Sequence, residues 1–331
     1  MSVLITGGAG YIGAHVVRLV QQRGENVVVV DDFSTGDPGR LGDAVFASID
    51  LAADTASDLL RQLVIKHEVT GVIHLAAKKQ AGQSVTQPAR YYRENVGGLA
   101  NLLLAIDGTA ARDVVFSSSA AVYGTPSESP VTEDAPTHPI NPYGSTKLAG
   151  EWLLREASAA SGLHAVSLRY FNVAGAGWPD LGDPFPLNLL TIAIDAIEHG
   201  RQPVIFGDDF DTIDGTGVRD YVHVLDLAEA HLAALDHLRR ETTPGGHEIF
   251  NVGTGTGASV REVLRMLEEV SGRTIDARTV ERRAGDPAEV VADVARATRE
   301  LGWTARHSLA DMVSSAWGAR QVSALEDKRT R

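Results

Sequence analysis

A chain of 331 residues is long enough for two domains and a sizeable core. Its net charge of −13 argues against nucleic acid or an anionic membrane as partner, while leaving room for a local basic pocket around a phosphorylated small molecule. The absence of cysteine excludes disulfides, thiolate catalysis and cysteine-ligated metals, and with no bilayer-length apolar run and no charged leader before Val3 the expected location is the cytoplasm.

Val3 to Thr6 reads as a buried strand, followed by Gly7-Gly8-Ala9-Gly10-Tyr11-Ile12-Gly13 and a helical pattern through Val16, Val17, Leu19 and Val20 that stops at Gly24. A second strand, Asn26 to Val30, ends in Asp31-Asp32. Strand, crossover helix and strand in this order imply a parallel sheet. Gly7, Gly10 and Gly13 allow a tight turn and leave space for a pyrophosphate at a helix N-terminus, where free N–H groups favour negative charge. A glycine trio alone says little. Here it follows a strand, opens a helix and precedes an acid at close to the expected spacing of about 20 residues. A carboxylate at Asp31 accepts hydrogen bonds from an adenosine ribose and repels a 2′-phosphate, so NAD is expected over NADP. Without the glycine loop, Asp31-Asp32 would read as a solvated strand end.

The alternation continues with a strand at Ala44 to Ile49, a helix at Ala56 to His67 and an apolar strand at Gly71 to Ala77. One long helix is expected over Ser84 to Ile106, with Pro88 in its early part, and then a strand at Asp113 to Ser119. Asn141 is a good N-cap and Pro142 a good first helical residue, so a helix should begin there and carry Leu148, Trp152 and Leu153. Tyr143 and Lys147 then share a face with Cβ atoms about 5–6 Å apart. An ammonium that close should lower a phenol pKa from near 10 towards working pH, which makes Tyr143 a candidate general base. In isolation the pair would read as an amphipathic helix with a buried Tyr and a solvated Lys. Ser117-Ser118-Ser119, in isolation a surface loop, could place a hydroxyl between Tyr143 and a substrate hydroxyl.

A strand at His164 to Arg169 follows, and the rhythm breaks beyond Asn172 into the Gly/Pro-rich run Gly175 to Asp180. The fold class read from this is α/β: a Rossmann-type doubly wound parallel sheet with a smaller mixed C-terminal substrate domain. Residues 1–171 form the expected dinucleotide domain, with later segments around 215–240 packing back on it; residues 172–320 mainly form the substrate domain, and 321–331 a frayed tail. Within the second region a helix is expected at Leu187 to Glu198, short strands at Val204 to Phe206 and Tyr221 to Val224, and helices at Leu225 to Leu238 and Val260 to Val270. Asp208, Asp209, Asp211 and Asp214 lack the ligand pattern and closing Glu of a calcium loop and read as an acidic turn. No histidine pair has metal-ligand spacing, so no metal is expected. Ligands of such sheets lie past the carboxyl ends of the strands, at Gly10, Asp31, Asp50, Ala76, Lys79, Ser119 and Asn172.

Together these residues resemble the extended short-chain dehydrogenase/reductases and, within them, the UDP-glucose 4-epimerases, from Val3 to about Trp303. The likeness rests on Thr6 to Gly13, on Phe116 to Gly124, on Tyr143-Gly144-Ser145-Thr146-Lys147, on Arg169-Tyr170-Phe171-Asn172 and, most specifically, on Asp214 to Val224. It implies Ser119, Tyr143 and Lys147 as catalytic residues. It implies a tightly held NAD, regenerated in each turnover, touching Gly7, Gly10, Tyr11, Ile12, Gly13, Asp31, Asp32, Asp50, Leu51, Leu75, Ala76, Ala77, Lys79, Tyr143, Lys147, Tyr170 and Phe171. A UDP-sugar would meet Lys79, Ser119, Tyr143, Asn172, Asn188, Leu189, Val204, Phe206, Arg219, Arg283, Asp286 and Val290, with Arg219 and Arg283 clamping its diphosphate. The implied reaction is inversion at C4 of a UDP-hexose through a transient 4-keto sugar; UDP-N-acetylhexosamine, UDP-glucuronate or a UDP-pentose are alternative substrates, and Val290 leaves more room for an N-acetyl group than the Tyr found in some members. The implied assembly is a homodimer through the Ser84–Ile106 and Tyr143–Ala160 helices. Two departures stand out: Glu94 precedes Asn95 where the family usually pairs two Asn residues, and Ala120-Ala121 lacks the acid pair of a 4,6-dehydratase. A non-catalytic NAD sensor is the competing class, against which the complete set of Ser119, Tyr143 and Lys147 speaks.

Overall fold

The structure, a computed structural model, describes residues 1–240, 245–283 and 285–329, with 323–329 described by backbone alone. In chain order the first elements are β1 (Ser2–Thr6), α1 (Tyr11–Gln22), β2 (Asn26–Asp31), β3 (Val45–Ser48), α2 (Ala56–Lys66), β4 (Val69–His74), α3 (Ala81–Thr86) and α4 (Pro88–Tyr91). A π-helical turn at Tyr92–Gly97 leads into α5 (Gly98–Ile106), followed by β5 (Asp113–Ser117), α6 (Pro142–Ser161) and β6 (His164–Tyr170). The single helix expected over Ser84 to Ile106 is therefore three pieces and a π turn. Pro88 has no N–H to give and its ring disfavours a helical residue before it, so α3 ends at Thr86 and α4 restarts with Pro88 in its first turn.

The second half contains β7 (Asn172–Ala174), α7 (Leu189–Glu198), β8 (Val204–Phe206), β9 (Val218–His223), α8 (Val224–Arg240), β10 (Gly246–Val252), β11 (Gly257–Ser259), α9 (Val260–Ser271), β12 (Arg278–Val280), β13 (Glu289–Val290) and α10 (Leu309–Arg329). The backbone expected to fray beyond residue 320 is helical through Arg329, and the last two residues lie outside the described set. β10 was not anticipated: its run Gly-His-Glu-Ile-Phe-Asn-Val puts polar residues in its first half, which hides the strand pattern.

The central sheet has the order β10-β6-β5-β4-β1-β2-β3, with every neighbouring pair parallel. The order in which strands are added reverses between β1 and β4, at the crevice in which such sheets hold ligands. Helices bury their apolar stripes on both faces. Val16, Val17 and Val20 of α1 pack with Leu227, Leu232 and Leu235 of α8 on one side, and Leu60, Leu99, Leu102 and Leu154 cover the other. Each fully buried Leu contributes about 1.5–3 kcal/mol of apolar burial. A second core of Leu190, Ile194, Ile205, Leu264, Leu267 and Val313 joins α7, α9 and α10 to a sheet in which β9 pairs with β7, β11 and β13.

Candidate active site

Two glycines show where the loop after β1 has no room for a side chain. A Cβ on Gly13 would lie 2.1 Å from the carbonyl oxygen of Gly7, and one on Gly7, which sits at φ +72°, would lie 2.6 Å from the backbone nitrogen of Ala76. The loop thus packs against its own turn and against the end of β4, with the α1 N-terminus open at Gly10, whose N-cap has no side-chain partner. Opposite it, Asp31 accepts from Ala9 N at 3.0 Å and from Phe33 N at 2.9 Å. Burial pushes its pKa up and those two backbone donors oppose the shift. A cleft starts from these groups. It takes in Asp32, Asp50, Leu51, Leu75, Ala76, Ala77 and Lys79 and ends on Tyr143, Lys147 and Tyr170. An elongated dinucleotide fits this lining: unshielded amides for a pyrophosphate and a carboxylate at the ribose end.

Phe171 is the exception among the expected cofactor residues. It is not part of the cleft wall, since its ring packs in a cluster with Val122, Tyr123, Leu148 and Val290. The side chains of β6 alternate across the sheet, so Tyr170 facing the cleft turns its neighbour away.

The catalytic helix begins as its sequence requires: Asn141 Oδ1 accepts from Gly144 N at 2.9 Å, and Pro142 occupies the first turn. Gly162 ends it at φ 70°. Tyr143 is buried beside Ser119, whose own Oγ accepts from Ala121 N at 3.2 Å at the start of a short 3-10 turn. Lys147 is 3 % exposed, not solvated; its Nζ donates to Ser117 O at 2.7 Å and lies 5.9 Å from the Tyr143 ring centre. Burial lowers the Lys147 pKa to about 7, with Glu151 one turn further on pulling the other way. The phenol of Tyr143 is pushed above its ordinary value by burial, partly offset by the nearby Ser119 hydroxyl. The spacing led to the opposite expectation, and desolvation of the phenolate is what overturns it.

Three groups behind the helix escaped the sequence reading. Ser117 Oγ lies 2.8 Å from His231 Nε2, while His231 Nδ1 lies 2.8 Å from Leu227 O. A carbonyl only accepts, so Nδ1 carries the proton and Ser117 donates to Nε2. The Tyr170 ring lies 6.3 Å from that of His231. Burial keeps His231 and His74 neutral, with pKa values of about 4 and about 3. Glu151 is 2 % exposed, accepts from Ser118 Oγ and holds the Arg169 guanidinium through two bonds of 2.9 and 2.7 Å. An acid one turn after Lys147 was visible in the sequence; its partner on β6 was not.

The expected sugar-nucleotide residues divide. Arg283 stacks 4.3 Å over the Phe206 ring and pairs with Asp286 at 3.3 Å. Arg219 lies opposite Val290 in the β9–β13 ladder, close enough to Asp286 and Arg283 to feel both charges, and burial lowers its pKa. Phe206, Arg219, Arg283, Asp286 and Val290 thus gather on one side, with Asn172 opposite Tyr221 in the β7–β9 ladder. Val204 begins β8 and Leu189 packs on the second core. Asn188 is committed to the chain itself: it caps α7 in a capping box with Thr191 and donates to Asp183 at 3.1 Å. It also borders a second cavity of about 390 Å³ between Tyr11, Arg40 and Arg320. The carboxylate of Asp214 in the acidic turn binds Thr216 and Ser259. Glu94 lies on the cleft wall and pairs with Arg93 at 3.0 Å.

The sequence profile of the NAD dependent epimerase/dehydratase family matches residues 3–253. A UDP-glucose 4-epimerase of Azospirillum brasilense is 46% identical over 315 residues, 93% of this chain and 88% of the relative. One of Corynebacterium glutamicum is 42% identical over 99% of this chain and 98% of its own length. Among solved structures, a UDP-glucose-4-epimerase from Stenotrophomonas maltophila with bound NAD and formylated UDP-arabinopyranose superposes with a TM-score of 0.91 at 40% identity, over 98% of this chain and 99% of that one.

Proposed function

Because the chain belongs to the NAD dependent epimerase/dehydratase family, we propose that it inverts C4 of a UDP-hexose, interconverting UDP-glucose and UDP-galactose. The observation that carries this reading is the placing of Tyr143 beside Ser119, with Lys147 one turn on, at the end of a cleft that starts at a glycine loop and Asp31. NAD held along that cleft by the glycine loop and Asp31 would supply a reversible hydride acceptor for C4.

The chain's own residues manage the proton. Tyr143, as phenolate, takes it from the sugar 4-hydroxyl, directly or through Ser119, and gives it back when the hydroxyl re-forms. Burial opposes that phenolate, so the positive charges near it decide when it exists: Lys147, held by Ser117 O, supplies one. Asp31 orients an adenosine ribose, and the α1 N-terminus takes the pyrophosphate. Arg219 and Arg283 hold the diphosphate of the sugar nucleotide while Phe206 packs its base, and Asp286 takes the uridine-side ribose.

Replacing Tyr143 by Phe keeps the ring and removes the proton acceptor. General-base loss costs about 10²–10⁴ in rate, so conversion of UDP-galactose should fall by at least that range; near-normal turnover overturns the assignment. A panel of UDP-glucose, UDP-galactose, their N-acetyl forms and UDP-glucuronate, read for C4 inversion, assigns the sugar.

A homodimer is part of the same proposal. Val85, Tyr92, Leu104 and Trp152 are exposed on the α3–α5 segment and on α6, an apolar surface that pairing would cover, and sedimentation of the purified protein as a monomer counts against it. Among the described residues no helix is long and apolar enough to cross a membrane. The proposal places the enzyme in the cytoplasm, which cell fractionation tests.

A further inference from the structure

The cofactor cleft carries a cation that neither the glycine loop nor the catalytic helix supplies. Lys78 follows the end of β4, and its side chain reaches towards the end of β2: Nζ donates to Ser34 Oγ at 3.0 Å and lies 3.8 Å from Asp32 Oδ2. Ser34 Oγ in turn donates to Asp32 Oδ1 at 2.7 Å. In the sheet, β1 lies between β4 and β2. The bridge therefore crosses the carboxyl end of β1, where the glycine loop forms the seat for a diphosphate.

The base of this bridge is fixed. Asn95, buried, accepts from Lys78 N at 2.8 Å and donates to Lys78 O at 3.0 Å. The same amide donates to Thr146 Oγ1 at 3.0 Å, and Thr146 donates to Tyr143 O at 2.7 Å. One buried side chain thus ties the bridge to the first turns of α6. The Lys78 and Asp32 side chains are 22% and 35% exposed, and an ion pair that open adds little to folding. Clamping both backbone groups of Lys78 is more than such a pair requires. It is what a residue needs whose ammonium must lie over one spot.

We propose that Lys78 is a latch on the dinucleotide: its ammonium, parked on Asp32 and Ser34, closes the cleft over the diphosphate seat and slows the escape of bound NAD. The role rests on the reading above, in which the cofactor is regenerated within each turnover and gains from staying bound. The chemistry is that of a cation facing a group with two negative charges, with a carboxylate and a hydroxyl holding it in place.

The test uses the NAD-loaded enzyme. Free NAD is removed by rapid desalting, and the NAD still bound is measured against time for the wild type, Lys78→Met, Lys78→Arg and the double variant Lys78→Met with Ser34→Ala. Lys78→Met keeps the methylene stem and should release NAD about tenfold faster, the effect of one charge-assisted hydrogen bond, while Lys78→Arg should restore most of the retention. Raising salt should speed release from the wild type and leave Lys78→Met little changed. The double variant should release NAD no faster than Lys78→Met, since the bridge is already open. Equal release from wild type and Lys78→Met, or a double variant showing the product of two separate effects, overturns the latch. A wild-type protein that retains no NAD at all counts against the cofactor reading instead.

Discussion

Replacing Glu151 by Gln keeps the shape of the side chain and removes one charge from the most deeply buried ion pair described here. Glu151 and Arg169 have side chains 2% and 4% exposed. The carboxylate accepts three bonds, from Ser118 Oγ, Arg169 Nε and Arg169 Nη2. After the change Arg169 keeps Tyr123 Oη at 3.0 Å and Glu133 O at 3.1 Å, neither of which carries the compensating charge at the guanidinium. Breaking a buried pair from one side costs about 3–5 kcal/mol. The amide oxygen still takes one Arg169 bond, so the expected loss lies near the lower end, about 3 kcal/mol. With an unfolding entropy of about 2.1 cal/mol/K per residue, a chain of 331 residues shifts by about 1.4 °C per kcal/mol, and the melting temperature should drop by about 4 °C. Urea unfolding followed by circular dichroism gives the free energy. The control is the double variant Glu151→Leu with Arg169→Met: a buried pair exchanged for apolar groups of similar volume is often neutral or stabilising, so the double should be more stable than Glu151→Gln. A cost under about 1 kcal/mol for Glu151→Gln, or a double variant no more stable than the single, refutes the claim that an uncompensated Arg169 charge sets the penalty.

Lys147→Met tests the burial of the ammonium through its pH dependence. Lys147 titrates at about 7 when folded against an ordinary 10.5; between those values the unfolded chain holds more protons, so the wild type gains stability as pH rises through that window and carries the full penalty of a buried charge below pH 7. The melting temperature of Lys147→Met minus that of the wild type should be highest near pH 6 and decline towards pH 9, and a flat difference means that the ammonium is not desolvated. Asp31→Asn leaves one of the Ala9 and Phe33 N–H groups facing an amide NH₂ and removes the charge that excludes a 2′-phosphate. NAD should bind about tenfold more weakly and the preference over NADP should shrink; fluorescence titration with both dinucleotides checks this, and an unchanged preference removes Asp31 as its source.

Features encoded within a few residues of one another could be read from the chain. The β1–glycine loop–α1 unit, Asn141 as a cap and the face shared by Tyr143 and Lys147 all depend on spacings of seven residues or fewer, and the structure has each of them. Pro88 also announced its effect, although the apolar periodicity across it suggested one helix where the ring permits only pieces. Contacts between distant segments were not legible. Ser117 meets His231 across 114 residues, Arg169 meets Glu151 from a neighbouring strand, and β10 joins the sheet about 80 residues after its partner β6. No local pattern contains the return of α8 and β10 to the first domain that brings these groups together. The Tyr143 pKa shows the same division within a single pair of residues. Spacing brings an ammonium near a phenol, which by itself favours the phenolate. The sign of the shift then depends on how much water the fold removes from both groups: burial raises Tyr143, with Tyr91 adding to it, and burial lowers Lys147 against the pull of Glu151. Such burial is set by packing between elements, so the proton affinity of the base belongs to the packing of the whole sheet and not to the Tyr-x-x-x-Lys spacing that first marks it.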